Sequence, residues 1–350
     1  MAKGATIHHV AKKAGVSTAT VSHVLNNTRY VSTETRELVL QVVRELRYYP
    51  SAVARGLATQ ETKTVGIIFS DIANPFFTAL FKGIERELAP LGYDLILENT
   101  GEHPEKQEHS LQVLLSKQVD GIILAPTGQQ SPILQLLKEN GTPLVLVDRS
   151  VQGMDLPLVE VNNRQAAFAA TSHLIGDGHR RIGVILGLDT TTDRLAGYMQ
   201  ALEQNGLPVD ESLFYRGNAS LETGCSGAKA LLAHAAPPTA IFTANNLMTL
   251  GALHALRELG LRCPEDVALI GFDDTDWASI FTPPLTVVQQ PTGEIGRAAA
   301  SLLHKLMSDK GSAEISLRQT FPAQLIVRGS CSPACLANYL KRQKDDRLTR

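Results

Sequence analysis

Six short polar clusters recur along the 350-residue chain, each following a run of apolar residues. They are Asp71-Ile72-Ala73-Asn74-Pro75-Phe76-Phe77, Asp148-Arg149, Asp193-Arg194, Asn245-Asn246, Asp273-Asp274 and Gln289-Gln290. Together they offer carboxylate acceptors, guanidinium and amide donors, and two flat aromatic faces. A sugar ring needs that set, because its hydroxyls require directional partners and its C–H faces require apolar surface. Arg149 and Arg194 in one cleft would also suit an anionic sugar, such as an aldonic or keto-aldonic acid, through paired hydrogen bonds. Trp277 adds an indole just past Asp274. Taken singly, each residue has a plainer use. Asn74 before Pro75 is a good helix cap, Phe76 and Phe77 suit a core, and Arg194 has Asp193 beside it. The argument for a ligand rests on their joint occurrence.

A second chemistry lies in the first sixty residues. A short amphipathic stretch from Ile7 ends at Gly15, and Ser17 offers an oxygen to cap a second helix. That helix buries Val21, Val24 and Leu25 and shows Thr18, Ala19, Ser22 and His23 to solvent. This is the layout of a helix-turn-helix whose second helix enters the major groove of DNA. His23 can donate to a guanine acceptor, and Thr18 can bond a base edge or touch a thymine methyl. Ala19 contributes fit alone. Thr6, Ser22 and Arg29 are placed to hold phosphates, with Ser17 and Thr20 at the same helix start.

These residues need a scaffold. A third helix should run from Ser32 or Thr33 to Arg47, burying Leu38, Val42 and Leu46, and close a three-helix core. Then comes Ser51 to Ala58, a helix too short to be stable alone in water, which Gly56 weakens further. From Thr64 the pattern is strand–helix–strand. The runs Val65–Phe69, Tyr93–Leu97, Gly121–Leu124, Leu144–Val147, Ile182–Leu186, Ala240–Thr243 and Val267–Phe272 are buried parallel strands. Two doubly wound lobes result, with chain crossings near Val159–Asn163 and Thr286–Pro291. Ligands in such folds lie outside the carboxyl ends of the strands, where the six clusters fall.

The expected organisation is therefore a DNA-binding domain over 1–49, a hinge and linker over 50–63, and an effector and dimerisation domain over 64–330. Its first lobe spans about 64–162 and 291–310, its second about 163–290 and 311–330, and 331–350 form a frayed tail. The net charge of −2 hides an asymmetry. Residues 1–63 carry nine Lys/Arg against four acids, a local +5 that leaves −7 for the remainder. A basic head on an acidic body matches attraction to the phosphate backbone. Met1-Ala2-Lys3-Gly4 leads straight into a polar helix, so no export signal is expected and the setting is the bacterial cytoplasm, at the nucleoid. Cys225, Cys263, Cys331 and Cys335 show neither zinc-ligand nor CxxC spacing and read as reduced thiols, so no metal is expected. No cofactor and no membrane span are expected either.

The run from Ser17 to Val31, followed by Pro50-Ser51-Ala52-Val53-Ala54-Arg55-Gly56-Leu57 and a binding-protein pattern, resembles the LacI/GalR family of bacterial repressors over nearly the whole chain. The head resembles that of the family's purine-responsive members. The resemblance implies an all-α helix-turn-helix with a hinge helix, joined to a periplasmic-binding-protein-like α/β domain. It also implies a homodimer on a near-palindromic operator. Ala54, Arg55 and Leu57 then lie in the hinge helix, with Leu57 matching the family's wedge at a central CG step. In the ribose-binding class the positions of Asn74, Phe76, Phe77, Asp148, Arg149, Arg194, Asn245, Asp273 and Gln290 hold the sugar. Asn246 departs from that class, which carries Asp there, and Trp277 is an addition.

The expected function is a repressor of a carbohydrate uptake or catabolism operon, released by a pentose such as ribose or by a sugar acid. The alternative is corepression by a purine or a sugar. An enzyme is not indicated, because the chain lacks a Walker loop and GxGxxG, and Gly224-Cys225-Ser226-Gly227 misses the GxSxG elbow by one residue. A transport receptor would have no use for the basic head, and an architectural DNA-binding protein none for the cleft.

Overall fold

A computed structural model describes residues 5–48, 61–187, 192–308 and 318–348, with side chains as far as residue 341. The chain separates into two units, Met1–Lys63 and Thr64–Arg350. The hinge segment, with Ala54, Arg55 and Leu57, lies outside the described residues.

The first unit holds α1 (Ile7–Ala14), α2 (Thr18–Asn26) and α3 (Thr33–Glu45). Gly15 ends α1 at φ 66°, a left-handed conformation that costs glycine nothing. Ser17 and Ser32 cap the next two helices, their hydroxyls accepting from Thr20 N and Thr35 N at 3.0 and 3.3 Å. Val10, Ala11, Ala14, Val21, Val24, Val39 and Val42 form the core. The spacing of α3 points to Leu38, yet Leu38 is 45% exposed and Val39 fully buried. A strict four-residue repeat turns by about 40° per step on a helix, so the inward stripe alternates steps of three and four.

The second unit alternates strands and helices. Its first part runs β1 (Thr64–Phe69), α4 (Pro75–Leu88), β2 (Asp94–Asn99), α5 (Pro104–Ser116), β3 (Gly121–Leu124), α6 (Pro132–Glu139), β4 (Leu144–Val147) and β5 (Leu158–Val161). Then follow α7 (Asn163–Gly176), β6 (Ile182–Leu186), α8 (Thr192–Gln204), β7 (Phe214–Arg216), α9 (Leu221–Leu232) and β8 (Ala240–Thr243). Next come α10 (Asn246–Glu258), β9 (Ala268–Phe272), α11 (Asp276–Ile280) and β10 (Thr286–Gln289). The chain closes with α12 (Thr292–Ser308), β11 (Arg318–Phe321), β12 (Gln324–Ile326) and α13 (Pro333–Leu348). The two sheets run β11-β5-β4-β3-β1-β2 and β12-β10-β9-β8-β6-β7. All pairings are parallel except β10 with β12. The apolar inner strands β1, β3, β4, β5, β6, β8 and β9 are buried and covered by helices, which accounts for their continuous Val/Ile/Leu runs, whereas β2, expected to be buried, is a half-buried edge strand.

Two boundaries differ from the pattern reading. Residues 311–330 fall by pattern in the second lobe, but β11 pairs with β5 of the first, so the chain crosses a third time between Phe321 and Gln324. The exposed polar alternation of β11 gave no hint of a partner sheet. Nor are residues 331–350 simply a frayed tail. Cys331 is fully buried in the second lobe's core, and Ser330 Oγ donates to Leu269 O at 2.6 Å.

Backbone-close helix pairs fix the second lobe. A methyl group on Gly197 of α8 would meet Arg164 O at 2.1 Å, and one on Gly251 of α10 would meet Leu221 O at 2.0 Å. These glycines let α7 approach α8 and α9 approach α10 too closely for any side chain.

Candidate effector cleft and DNA-reading head

The carboxyl ends of both sheets open into one cavity of about 220 Å³, below the ~300–1,000 Å³ of sites for drug-sized ligands. Asn74, Phe76, Phe77, Asp148, Arg149, Arg194, Asn245, Asp273 and Gln290 all line it. Trp277 does not. Its indole packs edge-on against Phe281, ring centres 6.3 Å apart, on the second lobe's core, because α11 turns that face inward.

The lobes present matching carboxylates. Asp148 follows β4 and Asp273 follows β9, both at φ 72°. Each backbone N–H donates to the next strand, to Val159 O at 3.1 Å and Val288 O at 2.8 Å. A left-handed non-glycine residue costs about 1–2 kcal/mol, and such positions collect where function needs a particular aim. Glu102, at φ 63°, is a third beside the same cavity.

Each arginine is held by its neighbours. Arg149 donates to both oxygens of Glu102, at 2.9 and 2.8 Å, and to Asp148 at 3.4 Å. Burial opposes its charge, but Asp148 and Glu102 outweigh that and raise its pKa. Arg194, only 5% exposed, donates Nε to Asn163 Oδ1 at 2.8 Å and Nη1 to Ala244 O. Its guanidinium lies 3.6 Å over the Phe272 ring. It does not pair with Asp193. Burial pushes its pKa down, with Asp273 and Asp148 opposing. One turn further along α8, Tyr198 anchors the helix by donating to Ile182 O at 2.6 Å.

Asp273 accepts from Gln290 Nε2 at 2.6 Å and from Asn246 Nδ2 at 3.1 Å. Burial pushes its carboxyl up, against the pull of Arg194 and the Gln290 hydrogen bond. Asn246 Nδ2 also donates to Asn74 Oδ1 at 2.7 Å, which ties the second lobe to the first. Asn74 and Asn245 both serve as caps as well, accepting from Phe76 N at 3.0 Å and Met248 N at 2.7 Å. Phe77 packs between Phe69, tilted with ring centres 5.1 Å apart, and Phe76, edge-on at 5.0 Å, and Phe76 and Phe77 both line the cavity.

Glu102 and Asn163 escaped the sequence reading for different reasons. The second strand appears by pattern to stop at Leu97, whereas β2 extends to Asn99 and delivers Gly101-Glu102 at its carboxyl end. Asn163 sits at the recognised lobe crossing, but its role appears only when α8 brings Arg194 to it.

In the head, Ser17 and Thr20 bond one another at 2.9 Å and so serve the cap first. Ser22 Oγ accepts from Asn26 at 3.2 Å. His23 Nδ1 meets Thr28 Oγ1 at 2.8 Å, which fixes the imidazole and leaves Nε2 without a partner among the described residues. Thr18 is half-buried, and Thr6, Ala19 and Arg29 are exposed. Arg36 donates to Val24 O and Asn27 Oδ1, at 3.3 and 2.9 Å, fastening the end of α2 to α3.

A helix-turn-helix head followed by a two-lobed domain with a polar cleft defines a ligand-responsive DNA-binding repressor. Residues 6–51 match the model of bacterial regulatory proteins of the lacI family, and 171–331 match a periplasmic binding protein-like domain. The chain is 39% identical to the HTH-type transcriptional repressor PurR of Escherichia coli strain E24377A, over 96% of this chain and 99% of the relative. It superposes on the lac repressor dimer bound to operator and the anti-inducer ONPF with a TM-score of 0.82, at 27% identity, covering 94% and 99% of the two chains. A transcriptional regulator CelR–cellobiose complex gives 0.71 at 33% identity, covering 93% and 99%. The chain belongs to the LacI family of transcriptional regulators. Its relatives are repressors and not enzymes. Among the described residues no helix is long and apolar enough to cross a membrane.

Proposed function

We propose that this repressor binds a single neutral sugar ring of pentose size in the cleft, and that the sugar releases it from a near-palindromic operator with a central CG step. The charge balance of the cleft carries this reading. Asp71, Glu102, Asp148 and Asp273 stand against Arg149 and Arg194; Glu102 and Asp148 fully engage Arg149, and Arg194 keeps only Nη2 without a partner among the described residues. An excess of acceptors favours a ligand rich in O–H donors and disfavours a second anion, so a sugar acid becomes the weaker choice. The small cavity and the Phe76–Phe77 pair suit one ring. A purine is the second reading, supported by 39% identity to a repressor named PurR.

The test is a thermal-shift panel of pentoses, hexoses, sugar acids and purines. A true effector at about 100 times its Kd adds roughly 2.7 kcal/mol, or about 5 °C or more in Tm. A shift with pentoses is the expected result. A shift with purines alone would overturn the sugar.

DNA reading would fall to Thr18, Ala19 and His23 at base edges, with Thr6, Ser22 and Arg29 on phosphates and Ser17 and Thr20 setting the helix start. In a homodimer the hinge residues Ala54, Arg55 and Leu57 would pair in the minor groove at the CG step. His23→Ala is expected to cost about 1–3 kcal/mol at one base pair and relax preference there. Arg29→Ala should instead weaken every sequence alike and lower the salt slope by about 1. Anisotropy titrations on operator variants at several salt concentrations separate the two. Uniform weakening by His23→Ala would assign that ring to phosphate.

A further inference from the structure

Four candidate metal ligands from two distant stretches of sequence, none of them lining the cleft, converge in the second lobe. His173 lies in the last turn of α7, and Asp177, four residues on, is that helix's C-cap residue. Cys331 follows the segment that runs beside β9, and Cys335 sits in the first turn of α13. The four ligand atoms all lie within 4.8 Å of one another. His173 Nε2 is 3.2 Å from Cys331 Sγ and 3.7 Å from Cys335 Sγ. Cys335 Sγ is 3.3 Å from Asp177 Oδ2, which is 3.5 Å from His173 Nε2.

Zinc bonds of about 2.3 Å to sulfur and 2.0–2.2 Å to nitrogen and oxygen build a tetrahedron with edges of about 3.3–3.8 Å. Four of the six separations, 3.2, 3.7, 3.3 and 3.5 Å, already approximate those edges, the other two are no longer than 4.8 Å, and all four residues are buried or half-buried. We propose that His173, Asp177, Cys331 and Cys335 form a structural zinc site that pins the start of the C-terminal helix to α7.

The donor set is of the right kind. Two thiolates, an imidazole and a carboxylate match a borderline-soft, four-coordinate cation, and three anionic ligands hold it strongly. Hard cations such as Mg²⁺ would find a single oxygen. The shell around the ligands is also set. Thr286 Oγ1 lies 3.3 Å from Cys331 Sγ, and His179 Nε2 lies 3.2 Å from Cys331 O. A crevice lined by His173, Asp177, Cys335 and Tyr339 gives an entry path. Arg328 borders it too, but Asp274 holds that guanidinium at 2.9 and 2.7 Å. Zinc entry displaces the two thiol protons and involves no redox step. The Cys-x3-Cys and His-x3-Asp spacings resemble no common zinc motif, so the site is invisible until the fold joins them.

The test uses the full-length protein, stripped of metal and kept reduced. Zn²⁺ is titrated against a colorimetric chelator, and Co²⁺ serves as a spectroscopic probe. One zinc per chain is expected, with a thiolate-to-cobalt charge-transfer band and tetrahedral visible absorption. Cys335→Ser, His173→Gln and Asp177→Asn should each weaken zinc by more than the 10–100-fold typical of losing an outer-shell partner. Cys225→Ser, outside the cluster, should bind as wild type does. The Cys335 and Asp177 side chains are half-buried, and circular dichroism of the metal-free variants checks that they fold. Zinc binding unchanged in these folded variants would overturn the proposal. So would wild-type protein that takes up no zinc, or cobalt spectra lacking the sulfur band.

Discussion

Replacing Arg194 with Met is expected to weaken effector binding by at least about 100-fold, while the ligand-free protein still binds operator within a few-fold of wild type. Hydrogen bonds to charged groups contribute about 1.5–3 kcal/mol each, and a ring-sized ligand has few partners to spare. Arg194 is also the cation that opposes the burial of Asp273. Without it the burial of Asp273 loses that opposing charge, and its carboxyl is pushed up further. The head makes no use of Arg194, so operator binding should persist and response to ligand should be lost. Stability will fall too, because removing one partner of a buried charge network commonly costs about 3–5 kcal/mol. Arg194→Lys, which keeps the charge and loses the planar fork, separates the two effects. Isothermal titration of both variants with the panel's effector measures the loss. Unchanged affinity in Arg194→Met would remove that residue from the site.

The second large effect is expected at a residue with no side chain. Gly197→Ala places a methyl group 2.1 Å from Arg164 O and 2.9 Å from Phe168 N, both backbone atoms that cannot yield alone. Helix α8 must move off α7, at a cost of about 3 kcal/mol or more. That corresponds to a fall in Tm of about 6–12 °C for a domain of this size. Gly197 follows Arg194 by one turn, so the guanidinium shifts with the helix, and effector affinity should fall about 10-fold or more. Gly176→Ala, near the end of α7 with open space around it, is the control and should stay within about 1 kcal/mol of wild type. A Tm for Gly197→Ala within about 2 °C of wild type would mean that the helix pair tolerates a wider separation.

Much of this architecture was legible before any coordinates. Buried parallel strands announce themselves as uninterrupted Val/Ile/Leu runs, and the polar clusters after them mark carboxyl ends. Nine of the ten cleft candidates line the cavity for that reason. Trp277 misled because a large aromatic next to a polar strand end can face either way, and a five-residue helix carries too little periodicity to decide. Leu38 misled because repeats of four and of three-then-four differ by one position over a short helix. The third lobe crossing and the converging His173, Asp177, Cys331 and Cys335 were illegible for a deeper reason. Both depend on pairings between segments more than a hundred residues apart, which local pattern does not encode.

In the proposed function, control of DNA by the cleft is a linkage between two units of one chain. A sugar shifts operator affinity only by as much as it prefers one lobe arrangement, typically about 1–3 kcal/mol or 5–150-fold. The Asn246–Asn74 hydrogen bond between the lobes is one contact that a bound ring would have to keep or break. The most direct measurement is anisotropy of a labelled near-palindromic operator, titrated with the repressor at fixed salt with and without saturating effector from the panel. A loss of operator affinity of about 5–150-fold with the sugar, absent in Arg194→Met, is the predicted result. Affinity that is unchanged by every stabilising ligand, or raised by one, would contradict release by a sugar.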